Sequence, residues 1–203
     1  MKWIRNALVC LLCGCFVTFF GTAIRAEDTA AVMEKSDYKW SITSYVAVSA
    51  QNSLGDVLSF QATFPDDTYI GVVALSREIW RYKQWLSFDL EGQVGKFFGE
   101  EHQWQFTGLI DGRWHKFPWN KYVTTSFAFG YGLSYNTDVS EVERRDDEDA
   151  TRLLNYLLFE LALGLPKYPR WDLVVRVHHR SEAYGLIGHA GSNYVGAGLK
   201  FSF

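Results

Sequence analysis

The sequence predicts an all-β fold: an eight-stranded antiparallel transmembrane β-barrel over residues 27–203, preceded by a cleavable signal peptide over residues 1–26. Three observations carry that expectation. Period-2 alternation recurs from residue 38 onward, the connections between the alternating runs are short on one side and longer on the other, and the chain closes on an apolar row ending in Phe203. Composition agrees. The 203 residues are 48% apolar and 17% aromatic, yet mean hydropathy is only -0.11. That combination excludes a bundle of transmembrane helices, which needs apolar runs of about 20 residues. It also excludes a disordered chain, which lacks the aromatic and branched residues abundant here. A pI near 5.9 argues against a nucleic-acid partner.

The first segment reads as an address. Lys2 and Arg5 precede an almost wholly apolar run over residues 7–23, followed by small residues at Ala23 and Ala26. A charged start, an apolar middle and a small-residue exit make a secretory signal peptide, with cleavage after Ala23 or Ala26. A single N-terminal anchor is the alternative. Cys10, Cys13 and Cys15 all lie in this segment, so the mature chain has no disulfide and no thiolate metal site. Cys15 also leaves open a lipoprotein, with the lipid attached there. Without residues 1–26 the chain carries 17 basic against 23 acidic residues.

Strands are expected over residues 38–50, 69–80, 86–97, 103–114, 123–136, 152–165, 172–179 and 194–203. In residues 86–94, Asp89, Glu91 and Gln93 share one face while Phe88, Leu90 and Val94 share the other. In residues 126–135, Phe127, Phe129, Tyr131, Leu133 and Tyr135 alternate with small residues. A barrel in lipid needs this pattern, apolar outside and polar or small inside. A soluble sandwich also alternates, so the connections discriminate. Residues 51–68, 137–151 and 180–193 are long and 98–102 moderate, whereas 81–85, 115–122 and 166–171 are short. Trp80, Trp85, Trp114, Trp119 and Trp171 fall beside the short turns, where an interfacial girdle belongs. Residues 137–150 carry eight charges from Glu141 to Asp149, so this loop is expected to be solvated, with no further role.

The terminal strand is the clearest. Counting back from Phe203, alternate residues are Phe201, Leu199, Ala197 and Val195. A strand ending in phenylalanine resembles the recognition signal of bacterial outer-membrane barrels.

Eight strands leave an interior filled by side chains rather than a pore, so activity belongs on the outer wall or the loops. In the seventh strand Leu173, Val175, Val177, His179 and Ser181 share the apolar, lipid-facing side, while Val174, Arg176, His178 and Arg180 point inward. His178 is expected in the interior polar network beside Arg176. Asn193 extends the outward row of the last strand, next to the end of the seventh. Acyl transfer needs a hydroxyl, a base to take its proton and a group to orient the imidazole; Ser181, His179 and Asn193 converge with those chemistries. His189 is an alternative partner in the loop. No carboxylate–histidine spacing points to a metal, and no glycine-rich phosphate loop to a nucleotide, so no cofactor is expected.

At these residues the sequence resembles the lipid A 3-O-deacylase (PagL-like) family of small eight-stranded outer-membrane barrels. The match consists of His179-Arg180-Ser181, Gly191-Ser192-Asn193 and the closing Gly198-Leu199-Lys200-Phe201-Ser202-Phe203, and it covers roughly the last 30 residues. The resemblance implies that His179 is the general base and Ser181 the nucleophile. The family's orienting glutamate falls at or near Asn193, and its asparagine after the serine is Glu182 here. Backbone amides around residues 183–185 are the expected oxyanion hole. The implied activity is hydrolysis of an ester-linked acyl chain of lipid A in the outer leaflet of the bacterial outer membrane, with lipopolysaccharide as partner. The alternatives are a non-catalytic barrel with a structural or loop-mediated binding role and a soluble periplasmic β-protein.

Overall fold

The computed structural model describes residues 37–182 and 187–203; the expected signal peptide, Cys15 and the oxyanion-hole segment 183–185 lie outside them. Eight strands, each hydrogen-bonded to the next, close into an antiparallel barrel. They are β1 (Trp40–Ala50), β2 (Thr68–Tyr82), β3 (Leu86–Gly99), β4 (Trp104–Trp114), β5 (Thr124–Asn136), β6 (Leu153–Gly164), β7 (Trp171–Ser181) and β8 (Gly191–Ser202). Closure pairs β1 with β8 from Ser41↔Ser202 to Ala50↔Asn193, and the backbone groups of Trp40 and Phe203 extend the seam. Glycine makes the close approach at this seam possible. A Cβ on Gly198 would lie 2.0 Å from the Ser44 carbonyl oxygen.

The expected parity holds. In β3, Ser87, Asp89, Glu91 and Gln93 are buried inside while Phe88, Leu90 and Val94 are exposed outside. In β5 the aromatic row Phe127, Phe129, Tyr131 and Tyr135 is exposed. An apolar outer wall with a polar interior is the reverse of a soluble core, and lipid is the solvent that makes it stable. Among the described residues no helix is long and apolar enough to cross a membrane. A β-bulge between Glu78 and Trp80 shifts the parity of β2. Glu78 continues the inward row of Ser76, and the shift that follows it puts Trp80 outside against Phe88 and turns Arg81 inward, where it joins Lys39 in binding Glu78. Aromatic side chains continue along the short-turn rim: Tyr82 meets Trp85 at 5.1 Å, Trp85 meets Trp114 at 5.0 Å, and Trp171 meets Phe201 at 4.8 Å.

The interior is filled by ion pairs. Glu160 of β6, fully buried, accepts hydrogen bonds from Arg113 at 2.6 Å, Arg176 at 2.6 Å and Lys200 at 2.7 Å. Arg176 also makes a two-pronged contact with Glu91, at 2.9 and 3.0 Å. Charges removed from water need partners on every side, and five strands, β3, β4, β6, β7 and β8, supply them to this one cluster. His178 departs from expectation. It faces the interior, but its ring packs against Tyr156 at 4.7 Å and Tyr194 at 5.2 Å, and neither ring nitrogen finds a hydrogen-bond partner among the described residues. It fills space between aromatic rings instead of joining the ionic network.

Four further differences lie at the long-loop end. The first loop forms a short helix, α1 (Leu54–Leu58), capped by the Ser53 hydroxyl. The third forms α2 (Glu141–Asp146), capped by Ser140. Third, that charged loop is not simply solvated. Glu143 is fully buried and accepts from Arg180 at 2.8 Å and Ser192 at 2.7 Å. Arg180 points into the mouth of the barrel and needs a counter-charge there, so the loop folds in to provide one. Burial pushes the Glu143 carboxyl above its usual range, partly offset by Arg180 and Ser192. Finally, β7 and β8 pair beyond the expected boundaries, through Arg180↔Ser192 and Ser181↔Gly191. Ser181 therefore stands on a strand rather than in a loop.

Candidate active site

His179 and Asn193 are direct cross-strand partners on β7 and β8, facing outward as their parity requires. The His179 Nδ1 lies 2.7 Å from the Asn193 Oδ1. The Asn193 Nδ2 donates to the Asn52 carbonyl oxygen at 2.7 Å. This second bond decides the first. A carbonyl accepts only, so the amide nitrogen of Asn193 must face Asn52 and its oxygen must face the imidazole. The amide oxygen also accepts only, so Nδ1 carries the proton and Nε2 keeps a free lone pair. An asparagine thus sets the tautomer that a general base needs, without a carboxylate.

Ser181 lies two residues beyond His179 in the same outward row of β7, about 7 Å away between Cα atoms. Among the described residues its hydroxyl takes no hydrogen-bond partner, His179 included, so the structure joins the histidine to the asparagine but leaves the serine free. Catalytic hydrogen bonds commonly tighten only with substrate present. On one flank the cross-strand neighbour of Ser181 is Gly191, which has no side chain to obstruct the hydroxyl. On the other it is Asn155 of β6. The helix α1 lies near β7, so the first loop borders this end of the strand.

His189 does not reach the imidazole. It is exposed, with its Nδ1 3.9 Å from the Glu182 carboxylate. Asp147, Glu182 and His189 bring one possible ligand atom each to within 4.8 Å of one another. They are loop groups with access to water, and nothing else at that position points to an ion.

Two neighbours of these residues escaped sequence reasoning. Asn52 acts through a backbone carbonyl in a loop, which has no sequence signature. Asn155 had one: it interrupts the outward row Leu153, Leu157, Phe159 and Leu161, and a polar residue in a lipid-facing row calls for a reason.

Among solved structures, the chain is similar to the outer membrane enzyme PagL, with a TM-score of 0.58 at 12% sequence identity, over 80% of this chain and 99% of that one. At that identity the likeness shows a shared outer-membrane barrel fold. A bacterial polysaccharide outer membrane secretin overlaps 70% of this chain and 48% of its own at 13% identity, with a TM-score of 0.34, too low for a common fold. No protein-family model and no curated protein sequence matches the chain.

Proposed function

We propose that this outer-membrane barrel is a lipid A deacylase-like esterase, with Ser181 as nucleophile, His179 as general base and Asn193 as the residue that orients the imidazole. One observation carries the proposal: the Asn52–Asn193–His179 chain of hydrogen bonds, which leaves His179 Nε2 basic on the lipid-facing row that also holds Ser181. In this mechanism Ser181 Oγ attacks the ester carbonyl carbon while Nε2 takes its proton. His179 then returns that proton to the sugar oxygen as it leaves. Water repeats the sequence on the acyl-enzyme and releases a fatty acid. An outward row next to an apolar wall supports an acyl chain as the substrate, since a chain held in the outer leaflet would lie along that wall.

The test is mass spectrometry of lipid A from cells with and without the protein. The expected result is loss of one ester-linked acyl chain. An unchanged lipid A profile would instead favour a barrel with a structural or loop-mediated role.

The mechanism also requires the long loops to face outside. Cysteines introduced as Glu148→Cys in the third loop and Lys167→Cys in the turn before β7 test this, since residues 27–203 contain no cysteine. A membrane-impermeant maleimide on intact cells should label the first and spare the second. The opposite pattern would put the site on the wrong side of the membrane.

A further inference from the structure

We infer that Asn155 is a further catalytic residue of this site, its side-chain Nδ2 donating a hydrogen bond to the oxyanion that forms when Ser181 attacks an ester carbonyl. The inference rests on the serine mechanism proposed above.

Four observations lead to it. Asn155 is the cross-strand partner of Ser181, so the two side chains stand on the same outward face with Cβ atoms about 5 Å apart. Although it sits in the lipid-facing row, Asn155 is only 1% exposed. Its Oδ1 accepts from the Tyr131 hydroxyl at 2.6 Å. Its Nδ2 is buried with no hydrogen-bond partner among the described residues.

The geometry of the amide joins these facts. Tyr131 is on β5, to one side of β6, and Ser181 is on β7, to the other. With the amide oxygen held toward β5, the NH₂ group turns away from Tyr131, on the side of β7 and Ser181. The Tyr131 hydroxyl uses only the oxygen of this amide, and nothing among the described residues uses its donor end. Leucine would fill the space, as it does at Leu153 and Leu157, without leaving a buried donor unsatisfied. An unpaired donor held rigidly beside a nucleophile costs stability in the resting protein and is satisfied only when negative charge develops next to it. Oxyanion holes share that property.

In the reaction the Oγ–carbon bond forms, the carbonyl π pair moves onto oxygen, and the hydroxyl proton goes to His179 Nε2. The new oxyanion accepts from Asn155 Nδ2. Collapse restores the carbonyl, breaks the carbon–oxygen bond to the sugar, and returns the proton from His179 to the leaving oxygen. Tyr131 is a positioning residue, acting through the orientation of Asn155.

The experiment uses the purified full barrel in detergent with two readouts: kinetics of fatty-acid release from lipid A, and the rate at which a fluorophosphonate probe labels Ser181. A phosphonyl oxygen takes the oxyanion position, so the second readout does not depend on lipid A being the substrate. Asn155→Ala should lower kcat and the labelling rate about 10²-fold, with KM within a few-fold. Asn155→Asp keeps an acceptor for Tyr131 but replaces the N–H with a negative oxygen, and should lose at least as much. Tyr131→Phe should lower kcat about tenfold with KM unchanged. Heat-modifiable migration in gels reports whether each barrel is folded. Should Asn155→Ala not fold, the nearly isosteric Asn155→Asp carries the same test. Wild-type kcat and labelling in the folded Asn155 variants, alongside their abolition in Ser181→Ala, would overturn the role of Asn155 and leave the serine mechanism standing. Deacylation that survives in Ser181→Ala would remove the mechanism and the inference together.

Discussion

Ser181→Ala is expected to abolish acyl-chain release, by on the order of 10⁶-fold, while leaving a folded, heat-modifiable barrel. The hydroxyl forms no hydrogen bond among the described residues, so its loss removes chemistry rather than packing. His179→Ala should cost nearly as much, because without Nε2 nothing takes the hydroxyl proton. The double variant should be little worse than either single one, as groups acting in one step are not additive. Asn193→Ala should cost less than either, since it frees the imidazole tautomer without removing the base. Asn193→Glu separates an orienting role from a filler. A carboxylate there would hold Nδ1–H and also stabilise the imidazolium, raising the rate severalfold, by less than the gain in base strength because proton transfer is only partial in the transition state. The expected order of rates, from Glu through Asn to Ala at position 193, would be lost if this residue only packed against the first loop. His178→Ala should change the rate little, because that ring is shut inside the barrel between two tyrosines. Wild-type turnover in Ser181→Ala would end the serine mechanism.

Glu160→Ala is expected to destabilise the barrel by about 3–5 kcal/mol, the cost of removing one member of a buried ionic cluster. The loss strands three cations, Arg113, Arg176 and Lys200, each within hydrogen-bond reach of this carboxylate. Glu91 and Asp89 keep partial hold of Arg176 and Arg113, so the interior loosens at Lys200 first. Glu160→Gln keeps the shape and part of the hydrogen bonding and should cost less than alanine. Urea unfolding followed by tryptophan fluorescence in lipid vesicles reads both. An unchanged midpoint for Glu160→Ala would mean that water enters the interior freely and that the cluster contributes little.

The barrel was legible because its two faces meet opposite solvents. Lipid demands apolar residues on every second position, and a narrow interior demands polar or small ones between them, so β3 and β8 declare their parity in ten residues each. That same parity was enough to put His179, Ser181 and Asn193 on one side of adjacent strands. Ladder hydrogen bonds, by contrast, have no side-chain code, and β7 and β8 run past their expected ends through Arg180↔Ser192 and Ser181↔Gly191. The charged third loop misled for a related reason. Eight charges in nine residues argue for water, and only the position of Arg180 at the barrel mouth makes burial of Glu143 favourable.

Local pattern therefore determined what a period-2 rule can express: the strand number, the lipid-facing row, the polar interior and the candidate nucleophile and base. The tertiary structure alone decided which atoms those residues meet. Asn52 is 141 residues from Asn193, yet its carbonyl turns the Asn193 amide and so selects the imidazole tautomer. Tyr131 is 24 residues from Asn155 and fixes which end of that amide is left for Ser181. An amide has two ends of opposite hydrogen-bonding character, and its direction depends on partners that closure of the barrel brings together from distant parts of the chain.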